Sequence, residues 1–296
     1  MKLLYLNPPD SGLGDRLLDI MLLYSYALYK CYTELYLHWE YNNSFDQSRQ
    51  CLKLEHLLSY IEFPTNIYFV TKETLTELSN NTDVILFKDI VGADSIYGFI
   101  NRHIPTISLT EQQAFIEIYF NVFKQIKFIN IPNEITDIFD KQSIVTIHLR
   151  RTDKVNNVSA AHGVSIDELQ LLDAKTEEYI QLRIKQGKSI CIISDDMHIK
   201  HKYIHKFKDL AKIIYFDTGD QVTQAYYDYY CLAHSDEILM SQKFSTFSIT
   251  ASLIGKHKQL FYIFEYGRLF NYNNIAYNFN KYPGFTQFIV NCGEPK

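Results

Sequence analysis

Apolar residues recur along the chain in two alternating rhythms. Short runs such as Leu3–Leu6 (LLYL) and 35–39 (LYLHW) have the length of buried strands. Between them, Leu17–Tyr29 places apolar residues at the three-to-four spacing of a helix. Strand-like runs return at Ile67–Val70, Val84–Phe87, Ile144–Leu149, Ile190–Ser194, Ile213–Phe216, Ile238–Ser241 and Leu260–Phe264, with helix-like stretches between most of them. Such alternation predicts parallel sheets covered by helices on both faces. The helix-like run Thr110–Phe128 and the segment INIPNEITD (129–137) interrupt the rhythm in mid-chain. The expectation is therefore an α/β chain of two Rossmann-like domains, 1–135 and 136–296, with a cleft between them. The Tyr-, Asn- and Phe-rich tail carries no readable period; it and the stretch Glu265-Tyr266-Gly267-Arg268 are candidates to return toward the first domain.

Composition narrows the partners. The 296 residues carry 29 Lys and Arg against 34 Asp and Glu, a formal charge of -5, so no general attraction to nucleic acid is expected. Phosphate recognition should instead be local, made by a few arginines and backbone amides. Five cysteines without paired spacing suit a reducing compartment and read as core thiols. The opening MKLLYLNPPD is too short an apolar run for a leader or an anchor, and no other stretch reads as a membrane span, which points to a cytoplasmic protein.

Chemistry concentrates after the β-branched run Ser143–Leu149 (SIVTIHL). Arg150, Arg151, Asp153 and Lys154 follow at what should be the carboxyl edge of a parallel sheet, where ligands bind. An arginine fork can hold two phosphate oxygens, and a carboxylate can fix its orientation. The competing reading is a solvated charged loop with a weak ion pair. Three other stretches have a similar setting. Gly12 and Gly14, with Asp15 and Arg16, form a glycine turn feeding a helix. Ser194, Asp195 and Asp196 end a strand, where capping of the next helix is the simpler role. Ser245, Thr246, Phe247 and Ser248 open a helix after the strand EILMS and offer hydroxyls and free amides to an anion. His198, His201 and His205 share a helical spacing but read as a solvated basic face rather than a metal site.

The segment His148-Leu149-Arg150-Arg151-Thr152-Asp153-Lys154-Val155 resembles the H-x-R-R-T-D-K-V motif of the α1,6-fucosyltransferases, both the N-glycan core enzymes and the rhizobial nodulation enzymes. Ser11-Gly12-Leu13-Gly14-Asp15-Arg16 is similar to the family's opening G-G-L-G-D/N turn, and Ile192-Ile193-Ser194-Asp195-Asp196 to its T-D-D sequence. Asp228, Asp236 and the run Phe244–Ser248 resemble its third motif. The resemblance implies a GT-B-like fold and gives Arg150 the diphosphate of GDP-fucose. It makes His148, Asp153 and Lys154 neighbours of the chemistry and Asp228 a guanine reader. Gly12, Gly14, Asp15, Arg16, Arg151, Asp195, Asp196, Ser245, Thr246, Phe247 and Ser248 become contacts of the nucleotide sugar.

The chain lacks the D-x-D spacing by which metal-dependent glycosyltransferases hold a diphosphate, so no metal or other cofactor is expected. Arg150, the amides near Gly14 and the Ser245–Ser248 turn would stabilise the leaving group instead, in an inverting transfer to a glycan acceptor. One departure stands out: Val158 occupies the place of the glutamate proposed as general base in the core enzymes. Asp153, Asp15, His162 and His38 are the alternatives. Arg150 would recognise a diphosphate and not a sugar, so a xylosyl- or rhamnosyltransferase is the nearest rival. The missing glutamate leaves room for a nucleotide- or carbohydrate-binding protein without turnover. A dinucleotide-dependent oxidoreductase is disfavoured by the absence of G-x-G-x-x-G after the first strand.

Overall fold

The computed structural model describes residues 2–6, 12–41, 47–80, 84–87, 96–104, 108–151, 165–241, 245–255, 260–265 and 268–271. The chain divides into two compact units, Met1–Asn130 with Gln221–Thr223, and Ile131–Asp220 with Gln224–Lys296. No helix among the described residues is long and apolar enough to cross a membrane.

The first unit contains β1 (Lys2–Leu6), α1 (Leu13–Tyr29), β2 (Glu34–His38), α2 (Leu54–Tyr60), β3 (Ile61–Glu62), β4 (Ile67–Phe69), α3 (Lys72–Ser79), β5 (Val84–Phe87), α4 (Ile96–His103), α5 (Leu109–Phe123) and β6 (Lys127–Phe128). Four strands form a parallel sheet in the order β4-β2-β1-β5. Helix α1 is apolar on nearly every side, with Leu17, Ile20, Met21 and Leu23 fully buried, so it must be covered all round. Aromatic edges do part of that: Tyr26 meets Phe99 and Tyr29 meets Phe115, each at 5.6 Å between ring centroids. The helix closes with Tyr32 N–H donating to the Ala27 carbonyl at 2.7 Å, and Cys31 takes a left-handed φ of 56° in that turn. This turns Cys31 outward and exposed, unlike the core thiols Cys191 and Cys231. Helix α5 starts at a reciprocal Ser108–Glu111 capping box and stops at Phe123, short of the Phe128 that periodicity suggests. Residues 127–128 are taken instead by antiparallel pairing of β6 with β3, Ile61 opposite Phe128.

The second unit runs α6 (Asn133–Lys141), β7 (Ile144–Leu149), α7 (Ile166–Lys185), β8 (Ser189–Ser194), α8 (Met197–Phe207), β9 (Ile213–Ile214), α9 (Gln221–His234), β10 (Glu237–Met240), α10 (Thr246–Ile254), β11 (Leu260–Glu265) and β12 (Arg268–Asn271). The sheet order is β12-β11-β10-β7-β8-β9, parallel throughout except that β12 returns antiparallel to β11. Counted from β7 this is the 3-2-1-4-5-6 order of nucleotide-binding doubly wound sheets, with its switch point between β7 and β10. Glu265 and Arg268 are register partners in the antiparallel β11–β12 pair. Gly255 ends α10 where a Cβ would lie 2.1 Å from the Ala233 carbonyl oxygen, an approach only glycine permits.

The pleat of β7 sorts its residues. Val145, Ile147 and Leu149 join the core with Leu172, Tyr179 and Ile180 of α7 and Tyr203, Ile204 and Phe207 of α8. Thr146 and His148 project to the other face, where Thr146 bonds Ser235 and His148 Nδ1 shares a hydrogen bond with Ser248 Oγ at 2.5 Å.

Candidate functional site

Strand β7 is buried along its whole length and ends at the switch point, so the first residues beyond it emerge where the sheet opens. Arg150 continues the even-numbered face of His148. Its Nη1 donates to Ser245 Oγ at 3.3 Å. Ser245 precedes α10 yet makes no side-chain cap to it; its own amide N–H donates to Met240 Sδ at 3.1 Å. The guanidinium therefore stands beside a helix N-terminus whose first turn has no side-chain cap from Ser245. Cation and helix dipole reinforce each other there for an anionic ligand. Thr246 and Phe247 are half-buried at that turn, and Ser248 is fully buried, held by His148. Phe247 fills the space between Tyr229, at 4.7 Å, and His148, at 6.1 Å between ring centroids.

Arg151 follows the odd-numbered face and goes the opposite way. It is 3% exposed, and its Nη2 bonds Asp173 Oδ1 on α7, which also accepts from Tyr203 OH at 3.0 Å. Its backbone N–H donates to Asp195 Oδ1 at 2.7 Å. Expected as a nucleotide contact, Arg151 is instead built into the packing between β7, α7 and α8. Asp195 keeps an exposed position and acts on the Arg151 backbone. Asp196 is the N-cap of α8, accepting from His198 N–H at 2.9 Å and Ile199 N–H at 3.2 Å, while Ser194 Oγ donates to the Leu149 carbonyl. His201 lies 3.8 Å from Asp217, and no group of three or more His, Cys, Asp or Glu is placed to hold a metal ion among the described residues.

Asp228 lies inside α9, 8% exposed, accepting from Gln224 Nε2 at 2.7 Å with the buried Lys200 ammonium 3.9 Å away. Burial raises its pKa to about 6, against the opposing pull of Lys200 and Gln224. A carboxylate so enclosed is engaged within its own unit, so reading a guanine would require it to exchange those partners.

In the first unit, Gly12 is the N-cap of α1 with φ -74°, a conformation open to any residue, and a Cβ there would meet Asp15 Oδ2 at an ordinary 3.6 Å. Neither strain nor crowding explains the glycine. The Asp15 carboxylate thus lies over the start of α1, while Gly14 is buried in its first turn. Arg16 is fully buried, its guanidinium 4.7 Å from the Trp39 ring and its Nη1 donating to the Glu40 carbonyl. That position belongs to the core of the first unit. His38 donates Nδ1–H to the Val70 carbonyl at 3.0 Å, the tautomer a carbonyl partner requires, which leaves Nε2 as the basic nitrogen. One turn along α1 from Asp15, Asp19 is 2% exposed and accepts from Tyr5 OH at 2.9 Å. Burial pushes its pKa up to about 7, with the Asp15 charge adding and the Tyr5 bond opposing. Asp153, Lys154 and His162 lie outside the described residues, as does Val158.

The architecture has solved counterparts. A NodZ α1,6-fucosyltransferase soaked with GDP-fucose is 14% identical and superposes with a TM-score of 0.52, the match covering 91% of this chain and 98% of that one. Fucosyltransferase NodZ from Bradyrhizobium, in its selenomethionine form, is 14% identical with a TM-score of 0.50, over 90% and 97% of the two chains. A variant of FUT1 from Arabidopsis thaliana in complex with GDP is 11% identical with a TM-score of 0.52, over 90% of this chain and 71% of that one. The chain has a fucosyltransferase-like fold. No protein-family model matches the sequence, and no curated protein matches it.

Within this fucosyltransferase-like fold, the residues brought together are His148, Arg150, Ser245, Phe247 and Ser248 around the switch point, with Arg151 and Asp195 bracing the other side of β7. Asp173 and Tyr203 were not legible as part of this arrangement. The signal that points to them is the parity of the strand: extending the alternation of Ile147 and Leu149 by two places carries Arg151 into the α7–α8 core, where a buried cation needs an acidic partner.

Proposed function

We propose that the chain is an inverting, metal-independent glycosyltransferase that moves fucose from GDP-fucose to a carbohydrate acceptor. The observation that carries this reading is Arg150, held by Ser245 against the N-terminus of α10 at the switch point of a 3-2-1-4-5-6 sheet. An arginine fork and the amides at a helix start can hold a diphosphate without a metal. In the reaction the acceptor hydroxyl oxygen bonds the anomeric carbon as the bond to the β-phosphate oxygen breaks, and GDP leaves with the electron pair. Charge grows on the leaving oxygens, and Arg150 with the α10 amides stabilises it in the transition state. The hydroxyl proton passes to a general base.

Calorimetric titration with GDP, UDP and NAD, followed by product analysis with a panel of nucleotide sugars in EDTA, tests the reading. GDP should bind and UDP and NAD should not, and transfer should proceed with inversion in the chelator. Turnover that stops in EDTA and returns with a divalent ion would remove the metal-free mechanism. Turnover with a xylosyl or rhamnosyl donor alone would replace the sugar while keeping the diphosphate site. GDP binding without transfer to any acceptor would leave a binding protein.

A further inference from the structure

Two adjacent arginines leave β7 and part company, and the second is the less expected. Arg151 is as buried as the core around it, yet its guanidinium meets one carboxylate, Asp173, and its Nε and Nη1 have no hydrogen-bond partner among the described residues. Asp173 is held in turn. Tyr203 OH donates to it at 3.0 Å, and Lys202 Nζ stands 4.0 Å from its other oxygen. Burial, then the neighbouring Asp173 charge, push the Tyr203 hydroxyl's pKa upward, so it remains a donor at any working pH. The backbone is also gripped on both sides of Arg150, because Ser194 Oγ donates to the Leu149 carbonyl and Asp195 accepts the Arg151 N–H.

We propose that Asp173, braced by Tyr203, is a positioning residue: by anchoring Arg151 on the α7–α8 side of β7 it fixes the direction in which Arg150 leaves the other side. A buried cation stays buried only while its partner is present. Without the Asp173 charge, Arg151 gains by swinging toward water, and it then pulls on the peptide it shares with Arg150 against the single hold of Asp195. The pleat then no longer aims Arg150 at Ser245 and α10. The inference rests on the diphosphate reading of Arg150, but its first half, the Arg151 anchor, does not.

The experiment has two arms. Phenylglyoxal labelling of the free protein, mapped by peptide mass spectrometry, reads the anchor: Arg151 should resist modification in the wild type and become at least 10-fold more reactive in Asp173→Asn, with Asp173→Glu restoring protection. Equal reactivity of Arg151 in wild type and Asp173→Asn overturns the proposal. GDP titration reads the consequence through a double-mutant cycle. Asp173→Asn should weaken GDP binding about 10-fold in the wild-type background and leave Arg150→Ala unchanged, because the lost effect passes through Arg150. Tyr203→Phe should show the same pattern at about 3-fold, and it stands in if Asp173→Asn does not fold. Equal losses in both backgrounds would make Asp173 merely structural. GDP affinity untouched by Arg150→Ala would instead sink the diphosphate reading and leave the labelling result standing.

Discussion

The two units repeat one device and use it differently. In each, a parallel sheet reverses its strand order beside its first strand, and a helix whose N-cap residue gives it no side-chain hydrogen bond starts nearby: α1 after β1 in the first unit, α10 after β10 in the second. In the first unit that helix start already carries a carboxylate, Asp15, and the adjacent cation, Arg16, is sealed under Trp39. In the second unit the helix start has no acidic residue in its first turn, and the cation, Arg150, keeps part of its surface and is steered to it by Ser245. A helix N-terminus attracts an anion only if its own side chains have not supplied one. The comparison teaches that topology marks where a ligand can bind, while the local sign of charge decides which ligand.

The widest contrast should come from the two arginines. Arg150→Ala is expected to lower transfer by about 10² to 10³, roughly 3–4 kcal/mol of transition-state stabilisation, with a melting temperature close to wild type. Arg150→Lys should also be impaired, because a point charge cannot replace the fork. Steady-state kinetics on purified variants check both, and near wild-type turnover would end the comparison. Arg16→Met should do the reverse, lowering unfolding free energy by about 2–3 kcal/mol through the lost bond to the Glu40 carbonyl and the lost contact with Trp39. Urea melts give that value, and GDP affinity of the folded protein should hold.

A smaller effect separates the units by pH. Folded Asp19 titrates near 7 against 3.8 for the free side chain, so between those values the folded state holds a proton that the unfolded chain has released. Stability is therefore greatest below pH 4 as far as this group is concerned, and falls with rising pH by up to about 1.4 kcal/mol per unit until the folded pKa is passed. Asp228, raised to about 6, contributes in the same direction from the second unit. Asp19→Asn should flatten the first share and make the protein about 2 kcal/mol more stable than wild type at pH 8, read from urea midpoints at pH 5 and 8. An unchanged pH slope would show that Asp19 is ionised in the fold. The least change is expected from Ser245→Ala: about 1 kcal/mol, or 5-fold, in transfer, and a stability change within about 0.5 kcal/mol because Ser245 does not cap its helix.

Much of the fold was written in local patterns. The runs at Ile144–Leu149, Ile190–Ser194 and Ile238–Ser241 became adjacent strands of one sheet because each is short, β-rich and flanked by helix-forming sequence. The small β3–β6 pair was not legible, since its partners are two residues each and lie more than sixty apart in sequence. The Arg150 position followed from a strand pattern and the charged stretch after it. The roles of Arg16, Arg151 and Asp228 did not, because burial of a charge depends on partners that local pattern does not reveal: Trp39, Asp173 and Lys200.

By itself, then, the sequence determined the alternation of strands and helices and the presence of cations just past one strand, because hydrophobic period and residue type are local properties. Which way each of those cations points was decided only in three dimensions. The register of β7 against β8 and β10 sets the phase of the pleat, and that phase sends Arg150 to Ser245, 95 residues away, and Arg151 to Asp173, 22 residues away, on opposite faces of one sheet.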